Sequence, residues 1–94
     1  MGQIRQIIKR DGRHVPFDQT KITNAIYAAA TVLGGQDRST AEQLSADIVA
    51  YLTDEQQIAE PTVEQVQDAV EKILIEKGHA RTAKEYILYR AERT

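Results

Sequence analysis

Apolar residues follow two different rhythms along the chain. From Gln3 to Lys9 the run QIRQIIK concentrates β-branched side chains at Ile4, Ile7 and Ile8, and a second short run, RHVPF, follows Asp11-Gly12. Two such runs about an Asp-Gly pair predict a β-hairpin, with positive φ at both turn residues in a type I′ geometry. With Asp11 and Gly12 as the central pair, Arg10 faces Arg13 and Lys9 faces His14. Pro16 has no N–H to give to a ladder, so the second strand lies at an edge or ends there.

Beyond Asp18 the period lengthens to that of a helix. Ile22, Ala25, Ile26, Ala29 and Leu33 recur on one face, Asp18 is a good N-cap, and Gly34-Gly35 stops the pattern. Ser39 and Glu42 form a capping box for a second helix with Ala41, Leu44, Ile48 and Leu52 inward. The polar connection DEQQIAEP has room for a short extended piece near Ile58. Thr62 and Gln65 form another box, and Val63, Val66, Ala69, Val70, Ile73 and Leu74 define a third helix that Gly78 ends. Thr82 with Glu85 offers a box for the last helix, which has room to begin nearer His79; its apolar positions are Ala83, Tyr86, Ile87, Tyr89 and Ala91. The prediction is a hairpin followed by four amphipathic helices, an α+β chain whose short connections favour antiparallel neighbours in a bundle. A lone hairpin is marginal in water, so its apolar face must pack on the helices.

Composition narrows the chemistry. A chain of 94 residues, 41% hydrophobic and 28% charged, has room for one modest core and is expected to be one domain. It contains no cysteine, which removes disulfides, thiolate metal sites and thiol catalysis, and its two histidines cannot build a metal site alone. No apolar run reaches bilayer length and MGQIRQ lacks a signal h-region, so the expectation is a soluble, cytoplasmic protein without a membrane partner. There is no GxSxG, HExxH or phosphate-cradling glycine loop, and pairs such as Glu42 and Asp47 read as a solvated helix face. No independent active site is expected.

Charge is divided sharply. Residues 1–24 carry net +3, residues 39–76 carry net −8, and residues 77–94 carry net +3. If the ends meet in space, an anion could sit between them. Lys9, Arg10 and Arg13 crowd one turn, and Lys21 lies in the first turn of a helix, where the macrodipole favours acids. Both placements make sense around a phosphate held by cations and helix-terminal N–H groups. The competing reading is a solvated hairpin whose basic residues pair with Asp11, Asp18 or the acidic middle. In the last helix, KEYILYRAER places Tyr86 with Arg90, and Tyr89 with Arg93, on shared faces. Such tyrosines serve either as core with a hydroxyl at the surface or as a wall of a nucleotide pocket.

The strand ending IIKRDGRHVPFD, then TKITNAIYAAA, the central PTVEQVQDAVEKIL and the closing KEYILYRAER together resemble the ATP-cone, the regulatory domain of ribonucleotide reductases, with motifs slightly closer to the anaerobic triphosphate class. The resemblance covers nearly the whole chain. It implies a four-helix bundle capped by a three-stranded sheet, with the third strand near Ile58 to Glu60. It further implies binding of ATP or dATP, with magnesium, as an overall-activity switch that acts through subunit assembly. By position, Lys9, Arg10 and Lys21 match phosphate contacts. Ile7 and Ile8 lie on the strand beside the base or sugar, and Asp18 is a polar position near the ligand. Thr62, Val63 and Gln67 fall at the nucleoside, and Tyr86 and Arg90 on the terminal helix near the pocket. Lacking redox thiols, the chain is expected to be a regulatory domain excised from a longer protein, with that protein's catalytic domain as partner and nucleotide-dependent self-association open to it. A nucleic-acid-binding module is the less favoured alternative, given the acidic middle. The cone of a nucleotide-responsive repressor is another, although the zinc-binding cysteines of such repressors are missing.

Overall fold

The computed structural model describes residues 3–93, with side chains through Arg90. The side chains of Ala91 and Arg93, placed above on the last helix, lie outside the described residues. Strands β1 (Gln6–Ile8) and β2 (His14–Pro16) pair antiparallel, with Ile7 opposite Val15 and Ile8 opposite His14. That register leaves three residues in the loop, not two. The Lys9 N–H donates to the Arg13 carbonyl at 2.8 Å and the Gly12 N–H to the Lys9 carbonyl at 2.9 Å, and Gly12 alone in the turn has positive φ, +89°. This is a type I turn closed by a glycine bulge, so Lys9, rather than Arg10, lies opposite Arg13. A type I′ turn would hold Asp11 at positive φ, whereas here its carboxylate accepts from the Arg13 N–H at 3.1 Å and Arg13 Nε at 2.7 Å.

The expected third strand is reduced to one residue and displaced. The sheet has two strands, and the added contact is a single parallel bridge from Ile8 to Thr62, with the Ile8 N–H donating to the Pro61 carbonyl at 2.9 Å. A longer ladder is blocked on both sides. Pro61 has no N–H, and Thr62 already caps the next helix.

Helix α1 (Gln19–Val32) starts where Asp18 accepts from the Thr20 N–H at 3.0 Å. It ends one residue before Leu33, which is exposed instead of joining the inward stripe. Helix α2 (Arg38–Ala50) is capped by Asp37, whose carboxylate takes the Ser39 N–H at 3.0 Å and the Thr40 hydroxyl at 2.8 Å. The Ser39–Glu42 box does not form because an acid two residues earlier reaches the same N–H. The helix then widens into a π-helical turn, Tyr51–Glu55, that keeps Leu52 fully buried. Gln57, at φ +55°, reverses the chain, and the Ile58 N–H returns to the Leu52 carbonyl at 2.9 Å.

Helix α3 (Val63–Glu76) forms the predicted box: the Gln65 N–H donates to the Thr62 hydroxyl at 3.1 Å and the Thr62 N–H to Gln65 Oε1 at 2.9 Å. Gly78 closes it at φ +86°. Helix α4 (Ala80–Arg93) begins ahead of the Thr82–Glu85 box, with the His79 carbonyl accepting its first bond from the Ala83 N–H at 2.9 Å. Each helix touches two others, α1 with α2 and α4, α3 with α2 and α4, closing a ring around one core. Ile26, Ile48, Leu52, Val70 and Leu74 are fully buried there. Ile4 buries itself from the hairpin side, and Ile7 and Phe17 pack on the core from the same direction. At the α1–α2 contact a buried Thr23–Ser45 hydroxyl pair at 2.8 Å satisfies both groups. No helix among the described residues is long and apolar enough to cross a membrane.

Candidate functional site

The hairpin stands off the helices and leaves a cleft of about 560 Å³ between itself, α1, α3 and α4. Ile7 reaches it from β1, and Lys9, Arg10 and Arg13 from the turn. Asp18, Lys21, Ile22 and Ala25 come from the start of α1, Val63, Val66 and Gln67 from the start of α3, and Tyr86, Tyr89 and Arg90 from α4. One part of the wall is therefore apolar and another is cationic.

Nine of the eleven expected site residues line this cleft: Ile7, Lys9, Arg10, Asp18, Lys21, Val63, Gln67, Tyr86 and Arg90. Ile8 and Thr62 do not. Successive strand residues face opposite sides, so Ile7 in the cleft turns Ile8 away, while the Ile8 backbone holds Pro61. The Thr62 hydroxyl is engaged in its own cap. Also lining the cleft are Asp11, Val15, Phe17, Ile22 and Val66, which the sequence does not mark for a ligand, and Arg13 and Tyr89, which it sets in a basic turn and on a candidate pocket wall without assigning them a contact. Arg13 was recognisable from the basic turn. Ile22 and Val66 carry the same helical signal as any core position, and only packing separates the two uses.

The five cations of the cleft differ in how they are already paired. Arg10 Nε meets Glu64 Oε1 at 2.8 Å, and Arg13 Nε meets Asp11 Oδ2 at 2.7 Å, both pairs half-exposed. Arg90 Nη1 lies 2.8 Å from Glu71 Oε2 and donates to Gln67 Oε1 at 3.2 Å. The Arg90–Glu71 approach is off the N–H direction, so that carboxylate oxygen is neutralised by charge without an aligned hydrogen bond. Among the described residues, no carboxylate pairs with the ammonium groups of Lys9 or Lys21. The first turn of α1 that holds Lys21 carries no acid of its own, and the carboxylate nearest the helix start is the Asp18 cap three residues before it. The cations without a carboxylate partner among the described residues thus lie at the turn and the α1 N-terminus.

The remaining titratable groups set the character of the walls. Burial pushes the Tyr86 phenol up to about 12, against the pull of the Arg90 charge, so it stays a neutral donor at physiological pH. Hydrogen bonds from the Arg13 backbone and side chain hold Asp11 below the usual carboxylate range, which keeps the turn's ion pair intact. Among the described residues no cluster of three metal-ligating side chains exists. One Asp18 oxygen serves the α1 cap. A hard divalent cation would fit here only if phosphate oxygens supplied most of its ligands.

The fold is thus an α+β domain in which a hairpin and three helices border a cation-rimmed, partly apolar cleft. The chain belongs to the ATP cone domain family, whose pattern matches residues 5–94. It is 42% identical over 95 residues to a vitamin B12-dependent ribonucleoside-diphosphate reductase of Thermoplasma acidophilum, covering 96% of this chain and 12% of that protein. The alpha subunit of a ribonucleoside-diphosphate reductase from Chlamydia trachomatis is 35% identical over 100 residues, with 93% and 9% covered. An anaerobic ribonucleoside-triphosphate reductase of Salmonella typhimurium is 30% identical over 87 residues, with 93% and 12% covered. The chain thus spans about a tenth of the length of these relatives, and the identities do not set the anaerobic class apart.

Proposed function

We propose that the cleft binds ATP or dATP and that the chain is a regulatory domain controlling the overall activity of a ribonucleotide reductase. The observation that carries this reading is the pairing pattern. Of five cations around one cleft, the three arginines already meet carboxylates, whereas among the described residues Lys9 of the turn and Lys21 of the helix start do not. An extended polyanion accounts for that arrangement. Its phosphates meet Lys9 and Lys21, with Arg10 and Arg13 adding the terminal guanidinium N–H groups that their own acids, held at Nε, leave over. The nucleoside then rests on Ile7, Ile22, Val63 and Val66, with the Tyr86 hydroxyl and Gln67 able to fix its orientation. Magnesium travels with the triphosphate, and Asp18 is the carboxylate placed to share it.

Regulation requires that ATP and dATP, which differ by one hydroxyl, favour two states of the assembly unequally. The catalytic domain of the same longer protein is the proposed partner, with nucleotide-dependent self-association as the means. A tract that follows a nucleic-acid backbone is disfavoured by the acidic residues of α2 and α3. It would show oligonucleotide binding with a steep salt slope. Paired calorimetric titrations with ATP and dATP, with the mass of the protein measured in each state, test the proposal. Saturable binding of mononucleotide, with a different mass or affinity for the two ligands, is expected. No saturable heat at millimolar nucleotide in a folded sample refutes it.

A further inference from the structure

Helices α2 and α4 stand at opposite corners of the four-helix ring and show solvent two different surfaces. On α4 from Ala80 to Arg90 the exposed positions are Ala80, Arg81, Lys84, Ile87 and Leu88. They recur every three or four residues, so they share one outward face that carries two cations, two large apolar side chains and no acid. Ile87 is 40% exposed and Leu88 51%. Ile75 of α3, also exposed, follows Glu71 by one turn, and Glu71 meets Arg90, so this side chain lies on the flank of α3 turned to α4. Among the described residues no carboxylate pairs with Arg81 or Lys84. None of the outward residues of α4 lines the cleft.

The outward face of α2 is the converse. Ser39, Gln43, Ala46 and Ala50 run along it at the same spacing, with the acid Glu42 one turn before Ala46 and Asp47 beside it. Among the described residues α2 exposes no large apolar side chain. Its one cation, Arg38, is turned to α1, where it donates to Asn24 Oδ1 and stands over the Tyr27 ring at 5.6 Å, and its Nε comes no closer to Glu42 than 4.0 Å. Small side chains let a second helix come close, and the acids match the cations of α4. Neither face suits a copy of itself: α4 against α4 would oppose cations, and α2 against α2 would oppose acids.

We infer that a second copy of this chain docks head to tail, with the outward face of α4 in one copy, Arg81, Lys84 and Leu88 foremost, against the outward face of α2 in the next. Leu88 and Ile87 cover the alanines, and the two cations meet Glu42 and Asp47. Because the faces lie at opposite corners, each added copy leaves one of each free, so the association grows into a ring or an open chain and does not stop at a two-fold dimer. The contact uses no residue of the cleft and stands apart from the nucleotide reading.

The test is analytical sedimentation of the 94-residue chain without nucleotide. Its weight-average mass should rise with concentration up to about 1 mM in about 0.1 M salt. It should fall back toward the monomer in about 1 M salt, where the screening length drops from about 10 Å to about 3 Å. A chain with Arg81→Glu and Lys84→Glu, and another with Glu42→Lys and Asp47→Lys, should each stay monomeric. An equimolar mixture of the two should associate again, because every α4 face then meets an α2 face of opposite charge. A parent chain that is monomeric at every concentration and salt overturns the inference. So does association that survives unchanged in either reversed chain, or a mixture that stays monomeric. If a reversed chain loses its helical circular dichroism, the single changes Leu88→Ser and Ala46→Arg decide instead: each should weaken association by about tenfold, and an unchanged mass overturns the inference.

Discussion

Replacing Lys21 by Ala should make the free domain more stable and the liganded domain less so. In the free protein Lys21 sits in the first turn of α1, which holds no acid beyond the Asp18 cap three residues earlier, and a cation there opposes the helix dipole. Removing the charge relieves a surface effect of about 0.3–1 kcal/mol, and alanine is at least as good a helix former. A gain near 0.5 kcal/mol corresponds to roughly 2–4 °C in Tm for a domain of this size. With a triphosphate bound, the same side chain loses a charged hydrogen bond. Such bonds contribute about 1.5–3 kcal/mol, and the exposure of Lys21 argues for the lower end, about tenfold in Kd. A tenfold weaker Kd removes about 1.4 kcal/mol of ligand stabilisation in excess ATP, more than the helix gains. The melting curves of the two proteins should therefore cross: the variant melts higher without ATP and lower with it. Scanning fluorimetry with and without millimolar ATP reads this directly, and calorimetry supplies the Kd. Adenosine, which lacks phosphates, should bind both proteins alike. An ATP affinity within about twofold of the parent would refute the assignment of Lys21 to the phosphates, and a free variant that melts lower would refute the dipole argument.

Other expectations follow from the same geometry. Gly12→Ala meets no atom within 4 Å but must adopt φ near +89°, so urea denaturation should show a loss of about 1–2 kcal/mol from conformation alone, with weaker ATP binding as the turn shifts Lys9 and Arg13. Thr62→Ala removes the hydroxyl that accepts the Gln65 N–H at 3.1 Å, while the backbone N–H that donates to Gln65 Oε1 remains, and should cost about 0.5–2 kcal/mol in the same assay. Hydrogen bonds from the Ser39 and Thr40 hydroxyls lower the Asp37 pKa, so this group's stabilisation is complete above the usual Asp value and fades as pH falls through its folded one. Urea midpoints measured on descending pH should show that loss, and Asp37→Asn should flatten it. For Tyr86 the sign is opposite: its folded pKa is raised to about 12, so its contribution holds below the ordinary tyrosine value and is lost as pH rises toward about 12. A 295 nm absorbance titration should contain a high-pH component that Tyr86→Phe removes.

Much of the architecture is local and so was legible in the chain. Asp18, the Thr62–Gln65 box and Gly78 act within three or four residues of themselves, and each marks a boundary where it was expected. Where two local signals compete the reading slips. Asp37 outreached Ser39, and the DG pair supported either of two turns that differ by one residue in register. The π-helical turn after Ala50 has no period of its own to betray it.

What the sequence by itself determined is the inventory: four amphipathic helices, a hairpin, a basic turn, and nine residues that end up around one cleft. What only the tertiary structure decided is which of those charges are already paired and which walls are shared. Arg10 finds Glu64 across 54 positions of sequence, and Arg90 finds Gln67 across 23. The single bridge from Ile8 to Thr62 likewise depends on where α3 packs. Side-chain period and capping are set by neighbours along the chain, whereas ion pairing and the split of apolar positions between core and cleft are set by the docking of separate elements. Lys9 and Lys21 look much like Arg10, Arg13 and Arg90 when read in order. Folding sets most of them apart: it brings Glu64 to Arg10 and Glu71 to Arg90, Arg13 is met locally by Asp11, and among the described residues no carboxylate pairs with either ammonium group.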